Sequence, residues 1–173
     1  MGVTKKSHIV VFMIVAVAME VTMACSGYKA RIIKMENCAG PDAVITLDPD
    51  FSIKLNKKCE IVPSGCVHNK AFTAALTKYK LQKDGIILKE GELDLCAVAD
   101  KVPGDIKDML RVFGAPASCP VPEEKICAND HRVDLSKYKS MLSLAKGNMI
   151  LDSNVTHDTG KSCFHVELEI SRS

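Results

Sequence analysis

The sequence lacks the short motifs that mark several large enzyme classes. It contains no Gly-x-Ser-x-Gly, no phosphate-binding loop and no His-Glu-x-x-His, and the histidines beyond the N-terminal segment are scattered without a nearby catalytic partner. Cys-x2-Cys is also absent, and the spacings Cys59-x6-Cys66 and Cys119-x7-Cys127 do not match common zinc sites. We therefore expect a protein that is not an enzyme, with no catalytic residues, no metal and no cofactor.

The chain also has little net charge. Its 23 Lys and Arg residues nearly balance 21 Asp and Glu residues, which gives a formal charge of +2. Binding to nucleic acid requires a concentrated basic face that neutralises phosphates. We therefore expect no nucleic-acid partner.

Long apolar runs are absent except near the N-terminus. There, 9–19 form an apolar run behind a basic start, and small residues follow at Ala24 and Ser26. The run is too short to cross a bilayer easily, and its flanks are typical of a secretory signal peptide. We predict a signal peptide over 1–24 and no transmembrane anchor, although cleavage after Ser26 would instead remove Cys25.

The remaining residues, 25–173, are enough for one domain with its own core. Eight cysteines behind a signal peptide indicate disulfides and an oxidising compartment. We therefore predict a secreted, extracellular protein, with the lysosome as a possible destination. Eight cysteines allow about a hundred complete pairings, so their count does not determine the connectivity.

The C-terminal region predicts a β-hairpin. Apolar residues alternate with polar ones over a whole strand, which is typical of a half-buried strand. The apolar face consists of Phe164, Val166, Leu168 and Ile170. A preceding strand covers 147–155, and 156–160 supply turn chemistry that ends in a glycine.

Several further strands precede this hairpin. Alternation and turn residues predict strands over 28–36, 44–47, 51–56, 72–81, 86–95 and 133–145. Asp84-Gly85 is the strongest hairpin signal, because a type I′ turn requires positive φ at both central residues. The apolar phase then changes, which predicts a bulge at Gly91.

One segment has a helical period. Its apolar residues Ile106, Met109, Leu110 and Phe113 fall at i, i+3, i+4 and i+7, and Gly114 is placed to end the helix. Many short strands with one short helix predict an all-β sandwich.

Four segments together resemble the ML lipid-recognition family. They are Met35-Glu36-Asn37-Cys38, Asp94-Leu95-Cys96, Cys119-Pro120, and the closing pattern from Lys146-Gly147-Asn148-Met149 to Gly160-Lys161-Ser162-Cys163-Phe164-His165-Val166. The resemblance extends over about 34–170 and is greatest to the ganglioside-activator branch and to divergent arthropod-type secreted relatives. Two departures are Met149, where the family usually has an aromatic residue, and the incomplete set of paired cysteines beside Cys119-Pro120.

The resemblance implies an immunoglobulin-like β-sandwich of two antiparallel sheets with an apolar cavity between them. The pairings that it implies are Cys38 with Cys163, Cys96 with either Cys119 or Cys127, and Cys25 with the remaining cysteine. To these we add Cys59 with Cys66, because a disulfide across so short a turn is geometrically plausible.

A secreted, non-enzymatic lipid-binding protein is the function that the resemblance implies, with a fatty acid, sterol or glycolipid as ligand. Its candidate lipid contacts are Phe72, Leu76, Met109, Leu110, Phe113, Met149 and Leu151. The helix would border the cavity mouth as a lid. From pattern alone, the same apolar residues would also suit an ordinary packed core.

An alternative function is a protein-interaction module, such as an immune coreceptor or a lipid-presenting activator of a hydrolase. Its partner would then be a receptor or a hydrolase. In either function the sequon Asn154-Val155-Thr156 predicts N-glycosylation of Asn154 at the C-terminal hairpin turn.

Overall fold

The computed structural model describes residues 24–104, 107, 111, 115–127 and 132–172. These residues form two antiparallel sheets that pack as a sandwich, which confirms the predicted all-β fold class. No helix in these stretches is long and apolar enough to span a membrane. The predicted signal peptide, apart from Ala24, lies outside the described residues.

Eleven strands and two short α-helices are defined within the described stretches. The strands are β1 (Tyr28–Asn37), β2 (Ile45–Leu47), β3 (Ser52–Leu55), β4 (Glu60–Ser64), β5 (Cys66–Asn69), β6 (Ala75–Lys83), β7 (Ile86–Asp94), β8 (Glu124–Cys127), β9 (Val133–Asp134), β10 (Gly147–His157) and β11 (Gly160–Arg172). The helices are α1 (Leu95–Ala99) and α2 (Lys139–Leu144), and two 3-10 turns cover Ala24–Gly27 and Ser136–Tyr138.

The predicted C-terminal hairpin is present, and it lies at the centre of the larger sheet. Strand order in that sheet is β7–β6–β10–β11–β1–β3–β4–β9, and the smaller sheet has the order β2–β5–β8. Strands β10 and β11 pair without a break from Gly147 opposite Ile170 to His157 opposite Gly160. Because side chains alternate across a strand, the apolar face of β11 points into the sandwich.

The β6–β7 turn forms at Asp84 and Gly85, as predicted. Their φ angles are +50° and +82°, in the left-handed region that a type I′ turn requires. The bulge in this hairpin falls at Leu88, where the register with β6 shifts, so the prediction of a bulge at Gly91 is wrong. Gly91 pairs with Tyr79, whose hydroxyl oxygen would lie only 3.5 Å from a Cβ at position 91.

The segment 133–145 is mostly helical, so the prediction of a strand there is wrong. Strand β9 has only two residues before a 3-10 turn and α2 follow it. The Asp134 carboxylate accepts a hydrogen bond from the Ser136 amide at 2.7 Å, which stabilises the turn. Leu142 of the helix belongs to a buried cluster, and Leu135, just before the 3-10 turn, packs against that cluster.

Four disulfides connect the eight cysteines. They are Cys25–Cys59, Cys38–Cys163, Cys66–Cys127 and Cys96–Cys119. The bond from Cys38 to Cys163 is the one that the resemblance implied, and Cys96 pairs with the first of its two candidates. The predicted Cys59–Cys66 bond is wrong, because the chain leaves the larger sheet for the smaller one at Gly65, between these cysteines.

The predicted helix after residue 103 is only partly described. Gly104, Lys107 and Arg111 are helical, whereas Ile106, Met109, Leu110 and Phe113 lie outside the described residues. The lid and its lipid contacts therefore stay predictions. The expectation of a single helix is wrong, because α1 and α2 are also present.

The buried core is divided into two clusters. The larger cluster joins the smaller sheet to β6 and β10 through Val44, Ile45, Val67, Phe72, Ala75, Val121 and Val155. The smaller cluster contains Leu142 and the Cys25–Cys59 disulfide. Along β11, Phe164 packs against the larger cluster, while Ile170 and Leu142 line one cavity. The inward face of β11 therefore extends from one cluster toward the other.

Candidate binding site in the interior

The first cavity lies between the two sheets and has a volume of about 280 Å³. It is lined by Ile45, Thr77, Tyr79, Leu93, Leu95, Ala115, Leu151, Ser153, Val155 and Phe164. The hydroxyl oxygens of Thr77 and Ser153 lie 2.9 Å apart and hydrogen-bond to each other. Because these two polar groups are already paired and the other lining side chains, apart from the Tyr79 hydroxyl, are apolar, the space favours an apolar occupant. We call it the inter-sheet cavity.

The second cavity lies beneath helix α2 and has a volume of about 160 Å³. Its lining is entirely aliphatic and consists of Ala30, Ile32, Ile53, Leu55, Ile61, Leu135, Leu142, Val166, Leu168 and Ile170. Strands β1, β3, β4 and β11 form its walls, and Leu142 of α2 closes one side. We call this space the α2 cavity.

The two cavities are neighbours along the central hairpin. Leu151 of β10 lines the inter-sheet cavity, Val166 of β11 lines the α2 cavity, and these two residues are direct cross-strand partners. Directly opposed side chains on one face of a sheet lie in contact distance. The pair therefore forms the boundary between two spaces whose combined volume reaches the range of small-molecule pockets, about 300–1,000 Å³.

Apolar side chains around both cavities keep part of their surface accessible although they face inward. Ile32, Val166 and Leu168 are only half-buried, and Leu151 is 39% exposed. A close-packed core would bury these side chains and gain roughly 25 cal/mol for each Å² removed from water. The interior therefore leaves apolar surface that a hydrocarbon ligand can cover.

Only one of the predicted lipid contacts lines a described cavity. Leu151 borders the inter-sheet cavity. Met149 lies two residues earlier on the same face of β10, half-buried opposite Leu168. Met109, Leu110 and Phe113 lie outside the described residues.

Phe72 and Leu76 are not in the positions that the alternating pattern suggested. Phe72 is 1% exposed in the larger core cluster, and its ring lies 4.4 Å from that of His157. Leu76 is 42% exposed, while the adjacent Thr77 lines the inter-sheet cavity. The predicted phase of β6 is therefore wrong: Ala75 and Thr77 face inward and Leu76 faces outward.

Sequence reasoning missed the part of the lining that comes from β3 and β4. Ile53 and Leu55 share one face of β3, and Ile61 lies opposite Leu55 on β4. The alternation around Ile53 indicated a half-buried strand but not its partner. These residues line the α2 cavity because β1 pairs with β3 through Arg31 and Lys54, a contact distant in sequence.

A buried polar group connects the smaller sheet to the central hairpin. The Ile45 amide donates a hydrogen bond to Ser162 Oγ at 3.0 Å, and Ser162 Oγ lies 3.0 Å from His157 Nε2. Burial lowers the pKa of His157, which favours its neutral form. Ser162 and His157 are only 2% and 5% exposed, so this serine–histidine pair is enclosed and holds the two sheets together.

The outward face of the same hairpin carries a charged cluster. His165 Nδ1 lies 2.6 Å from Asp152 Oδ1, and His165 Nε2 lies 2.9 Å from Glu167 Oε1. Hydrogen bonding to Asp152 and then to Glu167 raises the pKa of His165. The two carboxylates lie on opposite sides of the ring, and no group of three metal-ligating side chains occurs among the described residues.

Asn154 also lies on this outward face. It is exposed within β10, opposite Cys163 on one side and Lys78 on the other. The hairpin turn begins only after His157, so the prediction that the sequon lies at the turn is wrong. Glycosylation of Asn154 itself stays a prediction.

Comparisons with known proteins identify the family of the chain. No protein-family model matches it. It is 30% identical over 152 residues to the sporozoite-associated mosquito saliva protein 1 of Anopheles gambiae, covering 86% of this chain and 84% of that protein. Chicken MD-1, crystallised in complex with lipid IVa, aligns over 83% of this chain and 96% of its own at 9% identity, but its TM-score of 0.31 assigns neither fold nor ligand. The identity and coverage of the first comparison show that the chain belongs to the family of sporozoite-associated mosquito saliva protein 1.

Proposed function

We propose that this protein is a secreted, non-enzymatic lipid-binding protein of the ML type. Its ligand is a fatty acid, sterol or glycolipid whose apolar part occupies the inter-sheet and α2 cavities. The main support for this proposal is that two apolar cavities adjoin at the cross-strand pair of Leu151 and Val166. An ordinary sandwich would have close-packed side chains at this place.

The chemistry of the linings supports hydrocarbon as the occupant. The α2 cavity has only aliphatic side chains, so a polar group placed there would lose its hydrogen bonds to water without replacement. Burial of each methylene contributes about 0.8 kcal/mol, so a long acyl chain brings on the order of 10 kcal/mol before the costs of binding. The lipid headgroup would then lie outside the α2 cavity.

Secretion is supported by the disulfides and by the relative. Four disulfides require an oxidising compartment in most organisms. The name of the relative places that protein in saliva, and the N-terminal run of this chain has the form of a signal peptide. A secreted carrier is therefore in line with all three observations.

Native mass spectrometry of the protein purified from culture medium tests the proposal directly. We expect the wild type to carry a copurifying lipid, and we expect Val166→Phe to reduce the bound fraction by filling the boundary between the cavities. Ile33→Phe is the matched control, because Ile33 is 47% exposed at the β1 bulge. A folded Val166→Phe protein that retains the wild-type amount of lipid would contradict the proposal.

A further inference from the structure

The tip of the β6–β7 hairpin exposes three consecutive branched apolar residues. Ile86, Ile87 and Leu88 are 69%, 53% and 54% exposed. Ile86 and Ile87 lie opposite Lys83 and Gln82 on the two faces of the hairpin tip, and Leu88 is the unpaired residue of the bulge. Contiguous apolar surface of this kind marks an interaction site more often than a single exposed leucine does.

A fourth exposed apolar residue lies at the same end of the molecule. The Asn148 amide donates to Asp84 Oδ1 at 2.8 Å, and the Asp84 amide donates to the Asn148 carbonyl at 2.8 Å. These bonds hold the hairpin turn against the start of β10. Leu144, which is 77% exposed, precedes Gly147 by three residues and can be at most about 11 Å from it. We call Ile86, Ile87, Leu88 and Leu144 the apolar tip.

The surroundings of the apolar tip are basic. Lys89 follows it directly, Lys146 lies between Leu144 and β10, and both side chains are exposed. The Asp84 carboxylate in the turn is already neutralised by Lys83, whose Nζ lies 2.9 Å from Asp84 Oδ2. Lys89 and Lys146 therefore remain available to a negatively charged surface.

Other carboxylates near this end weaken the basic character only partly. Glu169, opposite Asn148 in the central hairpin, forms an ion pair with Arg31 at 3.7 Å. Glu90 lies beyond the bulge, opposite Lys80 of β6. Apolar side chains between lysines suit the interface of an anionic bilayer, where basic residues near the surface are attracted to the negatively charged headgroups.

One cross-strand row connects the apolar tip to the α2 cavity. In the register of the larger sheet, the row contains Ile86, Lys83, Met149, Leu168 and Ile32, each opposite the next. Its last two members line the α2 cavity. Ile86 of the apolar tip therefore lies on the sheet face that leads to this cavity.

We propose that the apolar tip is a docking surface for anionic phospholipid bilayers. Its apolar side chains enter the interfacial region, and Lys89 and Lys146 contact the phosphate-bearing headgroups. The proposal concerns the outer surface of the protein and does not depend on occupancy of the cavities. Vesicle binding and lipid copurification can therefore succeed or fail separately.

Co-sedimentation with vesicles tests the docking surface. We expect the full-length secreted protein to sediment with phosphatidylcholine–phosphatidylglycerol vesicles, and to bind pure phosphatidylcholine vesicles less well. The double substitution Ile86→Ser and Leu88→Ser should weaken binding by about tenfold or more, because two apolar contacts are lost. Leu76→Ser is the matched control, since Leu76 is 42% exposed at the opposite end of the same hairpin.

Charge reversal gives an independent measurement. Lys89→Glu with Lys146→Glu should weaken binding to the anionic vesicles by about tenfold or more. Lys161→Glu, at the start of β11 beside the far turn, should bind like the wild type. Any of three results would overturn the proposal: no vesicle binding by the wild type, equal binding to both lipid compositions, or equal losses in the tip variants and their controls. If the serine variant does not fold, the result of the charge-reversal variant decides.

Discussion

Ser162 Oγ accepts a hydrogen bond from the Ile45 amide across 3.0 Å, and this bond joins the smaller sheet to the centre of the larger one. Ser162 is 2% exposed and Ile45 is equally buried. Water therefore has little access to the Ile45 amide if the hydroxyl is removed. Ile45 also lines the inter-sheet cavity. The bond therefore connects the two sheets directly beside this open space.

Ser162→Ala should lower the free energy of unfolding by about 1–3 kcal/mol, because it leaves a buried amide without an acceptor. Urea unfolding followed by circular dichroism measures the change. Ser52→Ala is a suitable control, because its hydroxyl bonds Ser64 at an exposed position and its loss should cost far less. Equal destabilisation by the two substitutions would show that the link between the sheets has no special role.

His165 should make stability depend on pH. Its pKa in the folded protein is raised above the ordinary value of 6.5 by Asp152 and Glu167, so the folded state holds the proton more tightly than the unfolded state. This contribution is complete below about pH 6.5 and is lost as pH rises through the folded pKa. Thermal unfolding at several pH values should therefore show a smaller loss of stability with rising pH in His165→Gln than in the wild type.

The shifted pKa of His157 does not disturb this comparison. Burial lowers the pKa of His157, so its effect has the opposite sign and appears as stability lost on acidification below about pH 6.5. His157 is present in both proteins, and its contribution cancels in the difference. Parallel pH profiles for the wild type and His165→Gln would contradict the predicted role of His165.

The mature protein should retain Cys25. Cys25 and Cys59 are 1% and 0% exposed and form a disulfide in the smaller core cluster. Cleavage after Ser26 would remove Cys25 and leave Cys59 as a buried unpaired thiol. Intact-mass analysis of the secreted protein should therefore show cleavage at Ala24 or earlier, and a chain beginning at Gly27 would contradict this prediction.

Asn154 should carry one N-glycan on the outward face of β10. Expression in eukaryotic cells should give a form with reduced mobility that peptide N-glycosidase converts to the unmodified size. Asn154→Gln and Thr156→Ala should each abolish the shift, since both destroy the sequon. Both side chains are exposed, so neither change should cost much stability. A shift that survives both substitutions would place the modification elsewhere.

Local sequence patterns were sufficient to predict the strands in which apolar and polar residues alternate regularly and the turn that needs positive φ angles. The β10–β11 hairpin and the Asp84–Gly85 turn formed where they were predicted, because side-chain alternation and positive φ depend on neighbours in the chain. Leu76 shows the limit of that reasoning. Alternation alone placed Leu76 on the inward face of β6, whereas pairing with β10 in the folded sheet puts Ala75 and Thr77 there.

The sequence by itself determined an all-β chain with a C-terminal hairpin, a tight β6–β7 turn and cysteines that form disulfides. Only the tertiary structure decided that Cys59 bonds Cys25 and Cys66 bonds Cys127, because each bond joins segments far apart in the chain. It also decided where the interior stays open. An apolar face on a strand has the same pattern whether its neighbours fill the space or not, and only the separation of the packed layers distinguishes a cavity from a core.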